Sequence, residues 1–385
     1  MEKTNDYKYV DIMKEVVQAY INTTGRLDDE FFERFFGKKA QAAFLSGMVE
    51  NNSVEDAMIM NGLAGVDCRK IDFSKLSLKN YMKIPFDSNT QFPEDIKQVF
   101  NSILEKSKQF GFGLEGLLQE GKLSGEGINV AIIDEDVDVS NMDTDDINLI
   151  YHGESTGHHY HGQTVSSLLA SKSCGVAKGA KVHFFQKTKE KDKQFEQIIE
   201  YNKNCTNESD KITVLSGSWS IKGAEFEKWQ QALRTAGCEL VCQNNFVQNF
   251  TEISGDDVIL NMTEEEKEGF SEGMRQMIEA IDLSSLVKIP INRTYHQYKD
   301  EGFKYQASYS NSWGIPQVAG LLALYKAKDK SLTFEDFCGL CRETASEKGV
   351  INPVGIYEEV EKRLERAKQN ENQCVKKIDI EDDGR

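Results

Sequence analysis

From residue 128 onward, short apolar runs alternate with stretches of helical period, and this alternation limits the fold more than any other feature. Ile128–Ile133, Lys181–Phe185, Ile212–Leu215 and Glu239–Cys242 are apolar enough to be buried on both faces. Between them, Phe195-Ile198-Ile199 and Phe226-Trp229-Ala232-Leu233 supply one-sided helical faces. Strands that alternate with amphipathic helices build a parallel sheet covered on both sides. The fold class expected is therefore α/β, a doubly wound and mostly parallel sheet. An acidic segment over 251–285 is expected to be an inserted helix, followed by strands at Leu286–Ile291 and Lys304–Tyr309 and an apolar helix after Ser312.

The residues before this pattern read differently. Tyr9, Val10, Ile12, Met13, Val16, Val17 and Tyr20, and then Phe31, Phe32, Phe35 and Phe36, are spaced as helix faces, so residues 1–122 are expected to be a mainly helical N-terminal region without a strand-rich pattern. Six glycines between Gly111 and Gly127 suit a flexible connection and place a boundary near 120. This gives an N-terminal region over 1–122, propeptide-like or accessory, a catalytic-type domain over 123–355, and a C-terminal helix with a polar tail over 356–385, whose last ten residues are expected to fray.

Charge removes some functions. The 385-residue chain has 46 basic and 63 acidic residues, a formal net charge of −17, which repels phosphate backbones and anionic membranes; neither nucleic acid nor membrane is an expected partner. The N-terminus lacks the basic and then apolar regions of a signal peptide, and no run is long enough to span a bilayer, so the cytosol is the expected compartment. Eight cysteines scattered through such a chain read as free thiols. No metal or other cofactor is expected. His158, His159 and His161 with Cys174 lack recognised zinc spacing. Asp134, Asp136 and Asp138 start like a calcium loop, but Val139 stands where its glycine belongs. Cys338 and Cys341 have redox spacing, yet lie in a helical run where buried thiols act as small apolar groups.

In open parallel sheets the ligand site lies beyond the carboxyl ends of the strands. Four residues stand at such places: Asp134 ends INVAIID, His161 opens a helical stretch, Asn245 follows ELVCQN, and Ser312 precedes Pro316 and the apolar helix. An acid, a base, an amide donor and a hydroxyl are what acyl transfer through a serine requires. Each also has a plainer reading. Asp134 suits a cap, Ser312 a helix N-cap, and Asn245 a turn residue, with its neighbour Asn244 the alternative amide donor.

The surrounding segments carry a resemblance. VAIIDEDVD (130–138), HGQTVSSLLA (161–170), GVAKGAKVHFF (175–185), ITVLSGSWS (212–220), LVCQNN (240–245) and SNSWGIPQVAGLLAL (310–324) resemble, in order, the aspartate strand, histidine helix, following strand, substrate strand, oxyanion segment and serine helix of the subtilases. The resemblance implies a subtilisin-like domain and a serine endopeptidase acting on a peptide or protein substrate. Asp134, His161 and Ser312 would be its triad and Asn245 its oxyanion donor. It further implies that Ser216, Gly217 and Ser218 pair with an extended substrate. Glu135, Asp136, Gln163, Thr164, Asn244, Trp313, Gly314, Ile315 and Gln317 depart from the family pattern, which keeps a second reading open: a catalytically degenerate subtilase-like protein that binds peptides without cutting them.

Overall fold

A computed structural model describes residues 18–19, 21–25, 28–29, 62–76, 81, 84–108, 112–140, 142–143, 145–153, 160–188, 191–252, 285–296, 302–305 and 311–382. The helix faces expected at 9–20 and 31–36, apart from the few of those residues named here, and the inserted acidic helix beyond Glu252 lie outside the described residues.

A five-stranded parallel sheet forms the centre. Its strands are β2 (Asn129–Asp134), β3 (Asn148–His152), β4 (Lys181–Gln186), β5 (Ile212–Gly217) and β6 (Glu239–Cys242), in the spatial order β3-β4-β2-β5-β6. After β2 the chain builds to one side through β3 and β4, then crosses to β5 on the other side. The end of β2 is therefore the point where the winding reverses, the place at which open parallel sheets bind their ligands. The doubly wound parallel arrangement read from the sequence is the one observed.

Alternation along each strand sends residues to two cores. Val130, Ile132, Val182, Phe184, Val214 and Val241 face one side with helix α3 (Tyr160–Ala170) and the long apolar helix α7 (Asn311–Lys328). Ala131, Ile133, Phe185, Leu215 and Leu240 face the other, covered by α4 (Lys191–Asn204) and α5 (Gly223–Thr235) through Phe195, Ile198, Trp229 and Leu233. With every residue of β2 buried, its apolar run has no polar face to break the reading. Edge strand β3, NLIYH, is largely half-exposed and carries too little apolar signal to be read from sequence.

The N-terminal region is not separate. It contributes a strand, β1 (Phe86–Asp87), to a second sheet of order β1-β10-β9, built with β9 (Thr294–His296) and β10 (Phe303–Tyr305). Tyr305 is buried among Leu63, Phe73, Ile84, Phe86 and Phe100, beneath helix α1 (Glu94–Lys108). One two-residue strand leaves the mainly helical reading of 1–122 as it was; two residues are too short a run to register in the sequence. The strand expected at 304–309 is β10, and residues 306–309 lie outside the described ones.

The glycine tract is packed. Around the short helix α2 (Glu115–Gln119), Leu114, Leu117 and Leu123 are buried in the same core as the central sheet. Gly121 and Gly127 hold turns at φ of 66° and 81°, and a Cβ on Gly125 would lie 2.3 Å from the Lys178 carbonyl oxygen. These glycines serve turns and a close approach. At the other end, α8 (Phe334–Thr344) and α9 (Pro353–Asp382) follow α7. Ile356 and Val360 are buried in the main core, and the helix extends past the point where fraying was expected. Cys338 and Cys341, on α8, are buried free thiols.

Candidate active site

Asp134 stands at the winding reversal because β2 ends there. Its backbone carbonyl accepts from Lys187 N–H at 2.6 Å, and its Oδ1 accepts from Glu135 N–H at 2.8 Å. The same Oδ1 lies 2.6 Å from Nδ1 of His161, the second residue of α3. With the carboxylate side chain 3% exposed and the imidazole 20%, the pair is shielded yet reachable. An ionised carboxylate only accepts, so Nδ1 carries the hydrogen and Nε2 becomes the basic nitrogen.

Two details let α3 approach so closely. Gly162 has no room for a side chain: a Cβ would lie 2.4 Å from the Glu135 carbonyl oxygen and 2.9 Å from the Phe184 ring. Farther along, Gly320 of α7 faces Val176 and the Leu169 carbonyl at 3.0 and 3.2 Å from such a Cβ, so α7 lies close against the end of α3.

Burial is the largest influence on the His161 imidazole and works against its charged form, with Lys187 adding to that. The charge and hydrogen bond of Asp134, joined by the charge of Glu135, outweigh both and raise its pKa above the ordinary histidine value. Glu135 and Lys187 themselves form an ion pair of 2.7 Å at the partly exposed rim.

Ser312 is half-buried in the first turn of α7, and the next residue, Trp313, puts its indole centroid 5.2 Å from that of the His161 ring. The structure therefore brings the elements carrying Asp134, His161 and Ser312 to one place. Pro316, four residues on, has no N–H to give the Ser312 carbonyl, and Ser218 Oγ donates to that carbonyl at 3.2 Å.

Other site residues read from sequence sit elsewhere or do something else. Asn245 is 5% exposed in the four-residue helix α6 (Gln243–Phe246); its Oδ1 accepts from Cys242 N–H at 2.9 Å and its Nδ2 donates to the Leu240 carbonyl at 2.7 Å. Its amide thus makes both of these bonds within its own capped turn. Asn244 both accepts from and donates to the backbone of Ile221 at 2.7 and 2.8 Å.

Ser216 and Gly217 lie inside the sheet, opposite Val241 and Cys242 of β6, with Ser216 also opposite Ile132 of β2. On the β2 side the pairing ends at Ser216, so Gly217 is paired only with β6. Ser218, just past the strand, hydrogen-bonds the serine segment. Sequence reading missed Gly162, Trp313 and this use of Ser218; the signal available for the last was a proline four residues after Ser312.

Of the histidine cluster, His158 and His159 lie outside the described residues, and Cys174 is held by Ser167 and Ser171 hydroxyls at 3.2 and 3.1 Å. Among the described residues no group of three or more His, Cys, Asp or Glu side chains is arranged to hold a metal ion, and no helix is long and apolar enough to cross a membrane.

No family model matches the chain, and no curated protein matches it. Among solved structures it is similar to a protease from Pseudoalteromonas arctica, at 14% identity over 65% of this chain and 94% of that one, with a TM-score of 0.42. A cold-adapted subtilisin-like serine proteinase aligns at 15% identity over 59% and 85%, TM-score 0.38. The PatG macrocyclase domain aligns at 11% identity over 65% and 98%, TM-score 0.43. Superpositions this loose carry no argument about chemistry, which rests on the residues themselves.

Proposed function

We propose that the chain is a serine endopeptidase acting on peptide or protein substrates through Asp134, His161 and Ser312. The observation that carries the reading is the 2.6 Å Asp134–His161 pair at the reversal of the sheet's winding, with the first turn of the serine helix packed beside its imidazole. His161 Nε2 takes the proton as Ser312 Oγ attacks the scissile carbonyl, and gives it to the leaving amine as the acyl-enzyme forms; water then releases the acyl group by the same steps. Asp134 fixes the tautomer and steadies the imidazolium. With Asn245 turned inward, backbone N–H groups in the first turn of α7 are the donors for the oxyanion, where the helix presents its positive end. The reaction needs no cofactor.

A fluorophosphonate probe forms a covalent adduct with an activated serine and tests this directly. Wild type is expected to label and to hydrolyse peptides, and Ser312→Ala to do neither. A wild type that never labels, with or without its N-terminal region, overturns the reading. One observation favours a second one: the amide expected at the oxyanion is engaged in a turn. In that reading the site captures peptides without cutting them, and tight peptide binding with no turnover would support it.

A further inference from the structure

We propose that Trp313 is a positioning residue for His161, its indole steadying the imidazolium formed when Ser312 gives up its proton; this rests on the acyl-transfer reading above. Trp313 is 3% exposed and packs against two rings. His161 lies at 5.2 Å between centroids and 37° between planes. Tyr295 of β9 lies at 6.4 Å and 24°. The backbone is held too. Gln317 Nε2 donates to the Trp313 carbonyl at 3.0 Å, and the neighbouring Gly314 leaves no space, since a Cβ there would lie 2.5 Å from the Phe246 ring.

The indole N–H adds to the case. It is buried with no hydrogen-bond partner among the described residues. A buried idle donor is a cost that phenylalanine would not carry. The ring is therefore what the site uses, and an indole attracts a cation more strongly than a phenyl ring does, within about 6 Å of its centroid. The charged groups facing the imidazole from other elements are Asp134 at the end of β2, Glu135 in the turn after it, and Lys187 after β4. Of these, Asp134 holds a nitrogen, whereas the indole packs ring against ring, so the two supports are separate.

NMR titration of the His161 imidazole in the full chain, for wild type, Trp313→Phe and Trp313→Leu, tests the proposal. The leucine variant is expected to lower the His161 pKa by about half a unit, with the phenylalanine variant between it and wild type. The acid limb of the labelling rate should move by the same amount. The phenylalanine variant keeps a flat ring, so it guards against simple misfolding. A His161 pKa that is the same in all three folded proteins, with labelling lowered or not, would leave Trp313 only a packing role and overturn the proposal. The titration requires no turnover: a shifted pKa in a chain that never labels sustains the indole's effect while sinking the peptidase reading.

Discussion

Ser218 Oγ donates to the backbone carbonyl of Ser312, the carbonyl that Pro316 leaves without its helical donor. A proline inside a helix normally weakens it, because one N–H is lost and a carbonyl is orphaned. Here a hydroxyl from the end of β5 meets that carbonyl. The central sheet and the residue proposed as nucleophile are thereby tied together by one bond.

This bond makes two distant positions interdependent. Ser218→Ala is expected to lower stability by about 1–2 kcal/mol, because its hydrogen bond to the Ser312 carbonyl is lost in a partly buried site. Pro316→Ala restores an N–H at that place, and in its background Ser218→Ala should cost markedly less. Urea denaturation of the four proteins yields the coupling; additive effects would show that the hydroxyl does not replace the missing donor.

Gly162→Ala should be damaging far beyond its size. The added methyl would meet the Glu135 carbonyl and the Phe184 ring, and overpacking of this kind costs roughly 1–3 kcal/mol. Relief would push α3 away from the end of β2, parting His161 from Asp134. Thermal denaturation with labelling of the folded variant checks this: labelling should fall even where the fold survives.

Asn245→Ala distinguishes a cap from an oxyanion donor. Cys242 N–H and the Leu240 carbonyl would lose their partner, at roughly 1–3 kcal/mol of stability. Hydrolysis well below the melting point should fall by much less than the roughly 10²–10³-fold expected on removing an oxyanion donor. A loss of that larger size would return the asparagine to the reaction.

Acid should destabilise the fold through buried His183 and its half-buried neighbour His152. Asn129 Nδ2 donates to the Ser209 carbonyl at 3.0 Å, which turns its Oδ1 toward His183 Nε2 at 3.1 Å; His183 Nδ1 then accepts from His152 Nε2 at 2.9 Å. In this arrangement His183 is neutral, with its hydrogen on Nε2. Burial first, then the charges of His152 and Lys181, lower its pKa to about 4, and burial lowers that of His152. A folded pKa below the unfolded value of about 6.5 means that the unfolded chain binds more protons in between. Stability is then full above pH 6.5 and declines toward pH 4, by on the order of 3 kcal/mol from His183. Urea midpoints at pH 7.5 and 4.5 should show a smaller drop in His183→Gln than in wild type.

How legible these features were depends on whether the signal is local. Strands β2, β4, β5 and β6 were readable because the sheet buries nearly every residue in them, leaving unbroken apolar runs. Asp134 and His161 were readable because strand ends are where chemistry sits. The hydrogen bonds of Asn245 were not legible because a side chain's direction in a one-turn helix is decided by which backbone groups lack partners. Ser218 joins a strand end to a proline 98 positions away, and Gly162 answers to Glu135 and Phe184, so neither has a local mark. The close approach at Gly125 had no mark for a related reason: glycine is equally suited to a loose linker and to a backbone pressed against another.

Strand β1 closes its sheet only with β10, whose residues pair with Phe86 and Asp87 from more than 200 positions later in the chain. During synthesis, the first of these strands leaves the ribosome long before its partner exists. Phe86 and the aromatic cluster around it therefore gain the cover of Tyr305 only after every strand of the central sheet has been synthesised.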